Sequence, residues 1–188
     1  MNEEQFHKVT SLLSAFKPRA EITLDVIPAP QKLAKFAFAL SADVSNGLIG
    51  DAEAELANGR FVILHEPGGQ DTWEGEFRCV TFLSADLETT EAEDPSLPEH
   101  GWTWLLKALQ DNRCQIAAPS GTVTRSISHS FGKLSTASDG GEIEIRASWT
   151  AIIKSGEELV AHLEAWCNLL AEISYLMPVP DGVASFRR

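Results

Sequence analysis

Alternation of apolar and polar side chains with a period of two recurs along this chain, and it constrains the fold more than any other feature does. In FAFALSADV, Phe36, Phe38, Leu40, Ala42 and Val44 fall on one side, with Ala37, Ala39, Ser41 and Asp43 on the other. That is the pattern of a strand with one face in a core and the other thinly covered. RFVILH and EFRCVTFL follow, rich in β-branched and aromatic side chains, and the three strands are read as an antiparallel meander. Upstream, EITLDVI alternates Ile22, Leu24 and Val26 against Thr23 and Asp25, then meets Pro28 and Pro30, which places it at or near a sheet edge. Downstream, TVTRSISH and EIEIRASWT alternate again, and the turn-rich FGKLSTASDGG between them predicts a hairpin with a mobile tip.

Helical spacing frames these strands. Phe6, Val9, Leu13 and Phe16 mark an N-terminal helix within residues 1–18, stopped by Pro18. The acidic stretch from Asp86 to Asp94, with Glu88, Glu91 and Glu93, is read as a solvated loop. Ser96 and Glu99 have capping-box spacing ahead of Trp102, Leu105, Leu106 and Leu109. Ser155 and Glu158 repeat that spacing ahead of Leu159, Leu163, Trp166, Leu170 and Ile173, a helix that Pro178 should end, leaving 178–188 as an irregular tail. The expected order is α-β-β-β-β-α-β-β-α: an α+β fold in which helices pack an antiparallel sheet of five or six strands.

The 188 residues have room for one domain, and no linker divides them, so 1–188 is read as a single unit. With 15 basic against 27 acidic residues the net charge is -12, which repels phosphate backbones and anionic lipid at long range. Direct contact with nucleic acid is therefore not expected, and Arg125, Lys133 and Arg146 are read as solvated or paired. MNEEQF has no basic region followed by an apolar stretch, and no apolar run approaches the roughly 20 residues that span a bilayer. A cytoplasmic protein without membrane association follows. Cys79, Cys114 and Cys167 are odd in number and widely spaced, which suits reduced, mostly buried thiols rather than disulfides or a zinc cluster.

The segment most like an active site is HEPGGQDTWEG, His65 to Gly75. Glycines that cradle a phosphate precede a helix, whereas Trp73 leads straight into EFRCVTFL. Pro67, Gly68 and Gly69 are thus expected to form a tight strand connection, with His65 and Glu66 splayed to opposite faces. If the loop does carry chemistry, the catalytic candidates are His65, Glu66 and Asp71, with Arg78 nearby. DAEAE, Asp51 to Glu55, spaces its carboxylates by two, but Leu56 stands where a calcium loop needs glycine. Gly132 and Lys133 lack the rest of a phosphate loop, and His129 lies between Ser128 and Ser130 without a convergent partner. His7, His100 and His162 are read as surface histidines. No metal or cofactor is expected. Trp102, Trp149 and Trp166 fall on expected core faces, which leaves Trp73 and Trp104 as candidates for an exposed contact or self-association surface.

The segments IPAPQKLAKFAFALSADV, GRFVILHEPGGQDTWEGEFR, GWTWLLKAL, GTVTRSISHSFG and EIEIRASWT, in that order, resemble an actinobacterial family known only as domain of unknown function number three thousand. The resemblance runs from about Arg19 to Val183. It implies an actinobacterial cytoplasmic protein and carries no catalytic roles; the family's neighbourhood with a ribonuclease D-like protein implies an accessory role in RNA metabolism. The element order, edge strand omitted, is also similar to type III secretion chaperones, which are small, acidic, dimeric proteins that bind partner chains. The reading that results is a non-enzymatic protein- or peptide-binding domain, chaperone-like or adaptor, able to homodimerise, its partner unidentified. The alternatives are an enzyme without a standard motif working through the 65–78 loop, or the RNA-metabolism accessory role.

Overall fold

The computed structural model describes residues 1–46, 54–134 and 140–176. Its order is α1 (Glu3–Ala15), β1 (Ile22–Ile27), β2 (Phe36–Ser45), β3 (Glu55–Gln70), β4 (Gly75–Leu87), α2 (Thr89–Ala92), α3 (Leu97–Asp111), β5 (Ile116–Ser128), β6 (Gly140–Ala151) and α4 (Leu159–Ile173). The six strands form one antiparallel sheet in the order β1-β2-β3-β4-β6-β5. The α+β class and its sheet are those the alternation predicts.

The alternation also sets which side is buried. Phe61, Ile63, Cys79, Leu83, Ile143, Ile145 and Trp149 are within 1% of complete burial and share one side of the central strands. The helices lie there: the Phe6 ring of α1 stacks 5.4 Å from that of Phe36, and Trp166 of α4 stacks 5.3 Å from Phe61. Gly101 of α3 sits so close to the sheet that a β-carbon would meet Ile143, Val123 and Ile145 at 3.0 to 3.3 Å. A β-carbon on Gly59 would come within 2.8 Å of the Trp166 ring, so the bare backbone there makes room for the indole.

The connection from Asp86 to Asp94 differs from the expected loop. β4 runs on to Leu87, and α2 follows with Ala92 fully buried; the Glu91 carboxylate accepts from the Glu88 N–H at 3.1 Å. The acidic side chains face water while a single alanine anchors the turn, too short a signal for periodicity to reveal.

Neither expected capping box forms. Ser96 has helical dihedrals, and its hydroxyl and N–H both bond Asp94 Oδ1, at 2.6 and 2.8 Å, so its oxygen is not aimed at the helix amides. Ser155 instead precedes a 3-10 turn, Gly156–Glu158, and the Glu158 carboxylate accepts from the Lys154 N–H at 3.2 Å. A reciprocal box does close α1, between Asn2 and Gln5. The tail 178–188, Asp51 to Glu53 of DAEAE, and residues 135–139 of the hairpin tip lie outside the described residues.

Candidate functional site

The 65–78 segment places its polar groups in three separate environments. β3 does not end at His65 but continues to Gln70, and its pairing with β4 shifts register between His65 and Gln70. Gly68 and Gly69, at φ 92° and 78°, lie within that irregularity rather than in the turn. Reversal occurs over Asp71–Glu74, closed by the Trp73 N–H to the Gln70 carbonyl at 2.9 Å, with Glu74 at φ 60°. The expected turn is thus present four residues later, because the glycines kink the strand before it reverses.

His65 lies on the helix-covered side and is fully buried. Its ring stacks 4.2 Å from Phe77 and 5.7 Å from Phe36, with Nδ1 3.3 Å from the Glu76 carbonyl and Nε2 3.2 Å from the Met1 carbonyl. The imidazole therefore joins α1 to the β3–β4 hairpin. Glu66 points the other way and accepts from the Lys35 N–H at 2.9 Å. Asp71 is exposed in the turn.

Arg78 lies on the side away from the helices, in a corner over which the hairpin turn folds back, since the Thr150 hydroxyl donates to the Trp73 carbonyl. The guanidinium is only 8% exposed and donates to the Ala118 carbonyl at 2.9 Å, Thr150 Oγ1 at 3.1 Å, Ser120 Oγ at 3.1 Å and Ser148 Oγ at 2.7 Å. All four acceptors are neutral. Burial consequently pulls its pKa below the usual arginine range, with Cys79 and Glu74 opposing. This arrangement ties β4, β6 and the start of β5 together at the point where β5 pairing slips between Ala117 and Ser120.

A second buried imidazole departs from the surface reading. His162 of α4 is 1% exposed, its Nδ1 accepting from Trp149 Nε1 at 3.0 Å, and burial pushes its pKa down to about 4, with Glu158 opposing. The reason is its place on α4, where its neighbour Leu163 and Leu159, Trp166 and Leu170 are also buried. His7, His100 and His129 are exposed.

Trp73 and Trp104 are both half-buried; Trp104 lies against the core and lines a small cleft between α3 and α4 with Lys107, Asp111 and Asn168. Among the described residues the most exposed aromatic is Phe131, 81% exposed beside β5, a residue that the sequence reading places only within a turn. Cys79 and Cys167 are buried free thiols and Cys114 is half-buried. Burial raises all three, Cys114 to about 11 and Cys167 to about 12, which leaves them protonated and poor nucleophiles. Among the described residues no three His, Cys, Asp or Glu side chains gather as a metal site, and no helix is long and apolar enough to cross a membrane.

A cleft of about 510 Å³ lies between α1 and the β6–α4 connection, lined by Gln5, Lys8, Val9, Leu12, Ile153 and Lys154. It is open to solvent, and none of His65, Glu66, Asp71 or Arg78 lines it.

The side of the sheet away from the helices carries an apolar patch of its own. Val62 lies between Ala39 and Val80 across the strands, and Phe82 between Arg60 and Arg146. Val62, Val80 and Phe82 are half-buried and Ala39 is buried, and the Arg146 guanidinium sits 5.2 Å from the Phe82 ring centre while bonded to Glu144 at 2.7 Å. Asn58, Asp43, Glu142 and Glu144 rim the patch, Glu142 accepting from the Ser84 hydroxyl. The alternation already separates these residues from the core, but it does not show that no helix returns to cover them.

A family model described as protein of unknown function (DUF3000) matches residues 2–184. The chain belongs to that family. No curated protein and no solved structure matches it.

Proposed function

We propose that this member of the DUF3000 family is a non-enzymatic binding protein, an adaptor or chaperone-like domain that holds a protein or peptide partner against the uncovered side of its sheet. The observation that carries the reading is the one-sided placement of the helices. Among the described residues all four helices pack against the Phe61 and Trp149 side, while Val62, Val80 and Phe82 form an apolar centre with a charged rim on the other. Such a surface suits a partner chain that presents apolar side chains and satisfies the rim with polar ones.

The arrangement of the candidate catalytic groups supports the same reading. His65 faces the core, Glu66 and Asp71 lie elsewhere, and Arg78 is engaged by four neutral acceptors. They share no point at which a substrate would meet them together.

The test is selection of binding peptides from a random library displayed on phage, followed by amide exchange on the complex. Protection confined to β3 and β4 around Val62, Val80 and Phe82, abolished by Val80→Asp with the melting temperature held, is the expected result. Failure to select any binder, or protection confined to the α1 cleft, would overturn it. Replacing His65 and Glu66 by alanine should change stability rather than peptide binding; binding lost at unchanged stability would point back to the loop.

A further inference from the structure

The sheet has two edges, and they are built differently. β1 is short, six residues, is followed by Pro28 and Pro30 and carries Asp25, all features that discourage another strand from pairing with it. β5 is 13 residues long. Its first part is guarded by Pro119, by Ala118 at φ 44° and by the register slip before Ser120. From Gly121 to Ser128 it has neither proline nor bulge, and among the described residues it pairs only with β6. An edge of that length presents a row of unpaired backbone donors and acceptors to any strand that can reach it.

Charge decides which strand can. In a chain of net charge -12, the stretch from Asn112 to Leu134 contains no Asp or Glu, while Arg113, Arg125 and Lys133 are its cations. Two copies approaching by most of their surface bring carboxylate against carboxylate, whereas two β5 edges do not. The strand also matches itself. Thr122, Thr124, Ser126 and Ser128 form a row of hydroxyls on the uncovered side, and Val123 and Ile127 stand half-buried on the helix side. Threonine and serine placed opposite one another are favourable cross-strand pairs.

We infer that this edge is a self-association surface, at which β5 of a second copy pairs antiparallel about a two-fold axis centred on Thr124. In that register Thr124 faces its counterpart, Thr122 faces Ser126, and Val123 faces Arg125, so no like charges oppose. A register centred one residue later would set two Arg125 guanidinium groups side by side and is disfavoured. The two sheets then become one, with both uncovered sides on the same surface. The inference is independent of the reading of that surface as a partner site, since dimerisation is measured without any partner.

Sedimentation velocity of the full chain over a range of concentrations, combined with Thr124→Lys and Thr124→Cys variants, tests it. The wild type should sediment as a reversible dimer. Thr124→Lys, which opposes two ammonium groups at the axis, should weaken association about a hundredfold or more with the melting temperature of the dilute protein unchanged. Because opposed β-carbons in such a pair lie within disulfide range, Thr124→Cys should cross-link on mild oxidation, and Val26→Cys on the other edge should not. A wild type that stays monomeric throughout, or a dimer that survives Thr124→Lys and cross-links through Val26→Cys, would overturn the inference. Should Thr124→Lys fold poorly, Ser126→Lys with the Thr124→Cys cross-link decides the matter alone.

Discussion

The two sides of this sheet are made from the same strands, yet they hold different kinds of residue in place. On the covered side Phe61 lies between two tryptophan rings, 6.0 Å from Trp149 and 5.3 Å from Trp166. One residue away on the same strand, Val62 faces the other side, between its cross-strand neighbours Ala39 and Val80. Adjacent positions in β3 therefore answer to different demands: packing density on one side, and access on the other. Burial alone does not draw the line, since Arg78 lies on the open side and is nevertheless buried by the turn folded over it.

The sharpest contrast is expected at these neighbouring positions. Phe61→Ala leaves a cavity between two indoles and should destabilise the fold by about 4 kcal/mol in urea denaturation. A loss below about 1 kcal/mol would mean that the covered side is not the packed one.

Acidification probes the covered side from within. His162 has its pKa pushed down to about 4 when folded, against 6.5 for an unperturbed histidine, so between those values the unfolded chain holds the extra proton. Its contribution is fully present above about pH 6.5 and is lost as pH falls towards 4, on the order of 3 kcal/mol in all. His162→Leu should flatten that slope, although it leaves the Trp149 indole N–H without its acceptor.

Arg78→Met tests whether a group on the open side can behave as a core residue. It removes four hydrogen bonds and leaves Ser120, Ser148 and Thr150 to find others, a loss of about 2 kcal/mol visible as a lower urea midpoint. Its effect should fall between the two sides. The smallest change is expected at Val62→Ser, about 1 kcal/mol, because that side chain is only half-buried. A cost comparable with that of Phe61→Ala would show the open side to be covered after all.

Much of the fold is legible in the residues. The alternation through Phe36 to Val44 and Ile143 to Trp149 fixes strand faces, and the edge position of β1 follows from its prolines. The helix at Thr89–Ala92 is hidden because four residues make scarcely one turn and three glutamates surround its single buried alanine. His162 departs from the surface expectation because a histidine on a helix gives no sign of its partner; Trp149 lies 13 residues earlier on another element. The candidate site was less legible still. Arg78 meets Ala118, Ser120, Ser148 and Thr150 only after three strands align, and nothing local in FRCVTF anticipates that. The openness of one side is a property of where the helices settle, which strand patterns do not encode.

The placement of β6 between β4 and β5 bears on how the chain reaches this state. The four strands from β1 to β4 can zip from neighbour to neighbour, whereas the ladder that joins Leu87 to Gly141 must first gather α2, α3 and β5 within one large loop. Closing that loop carries an entropy cost before any ladder bond repays it, so this ladder should form late. Until it does, the β4 edge is left without its β6 partner, and aggregation during slow folding at high concentration is expected to start there.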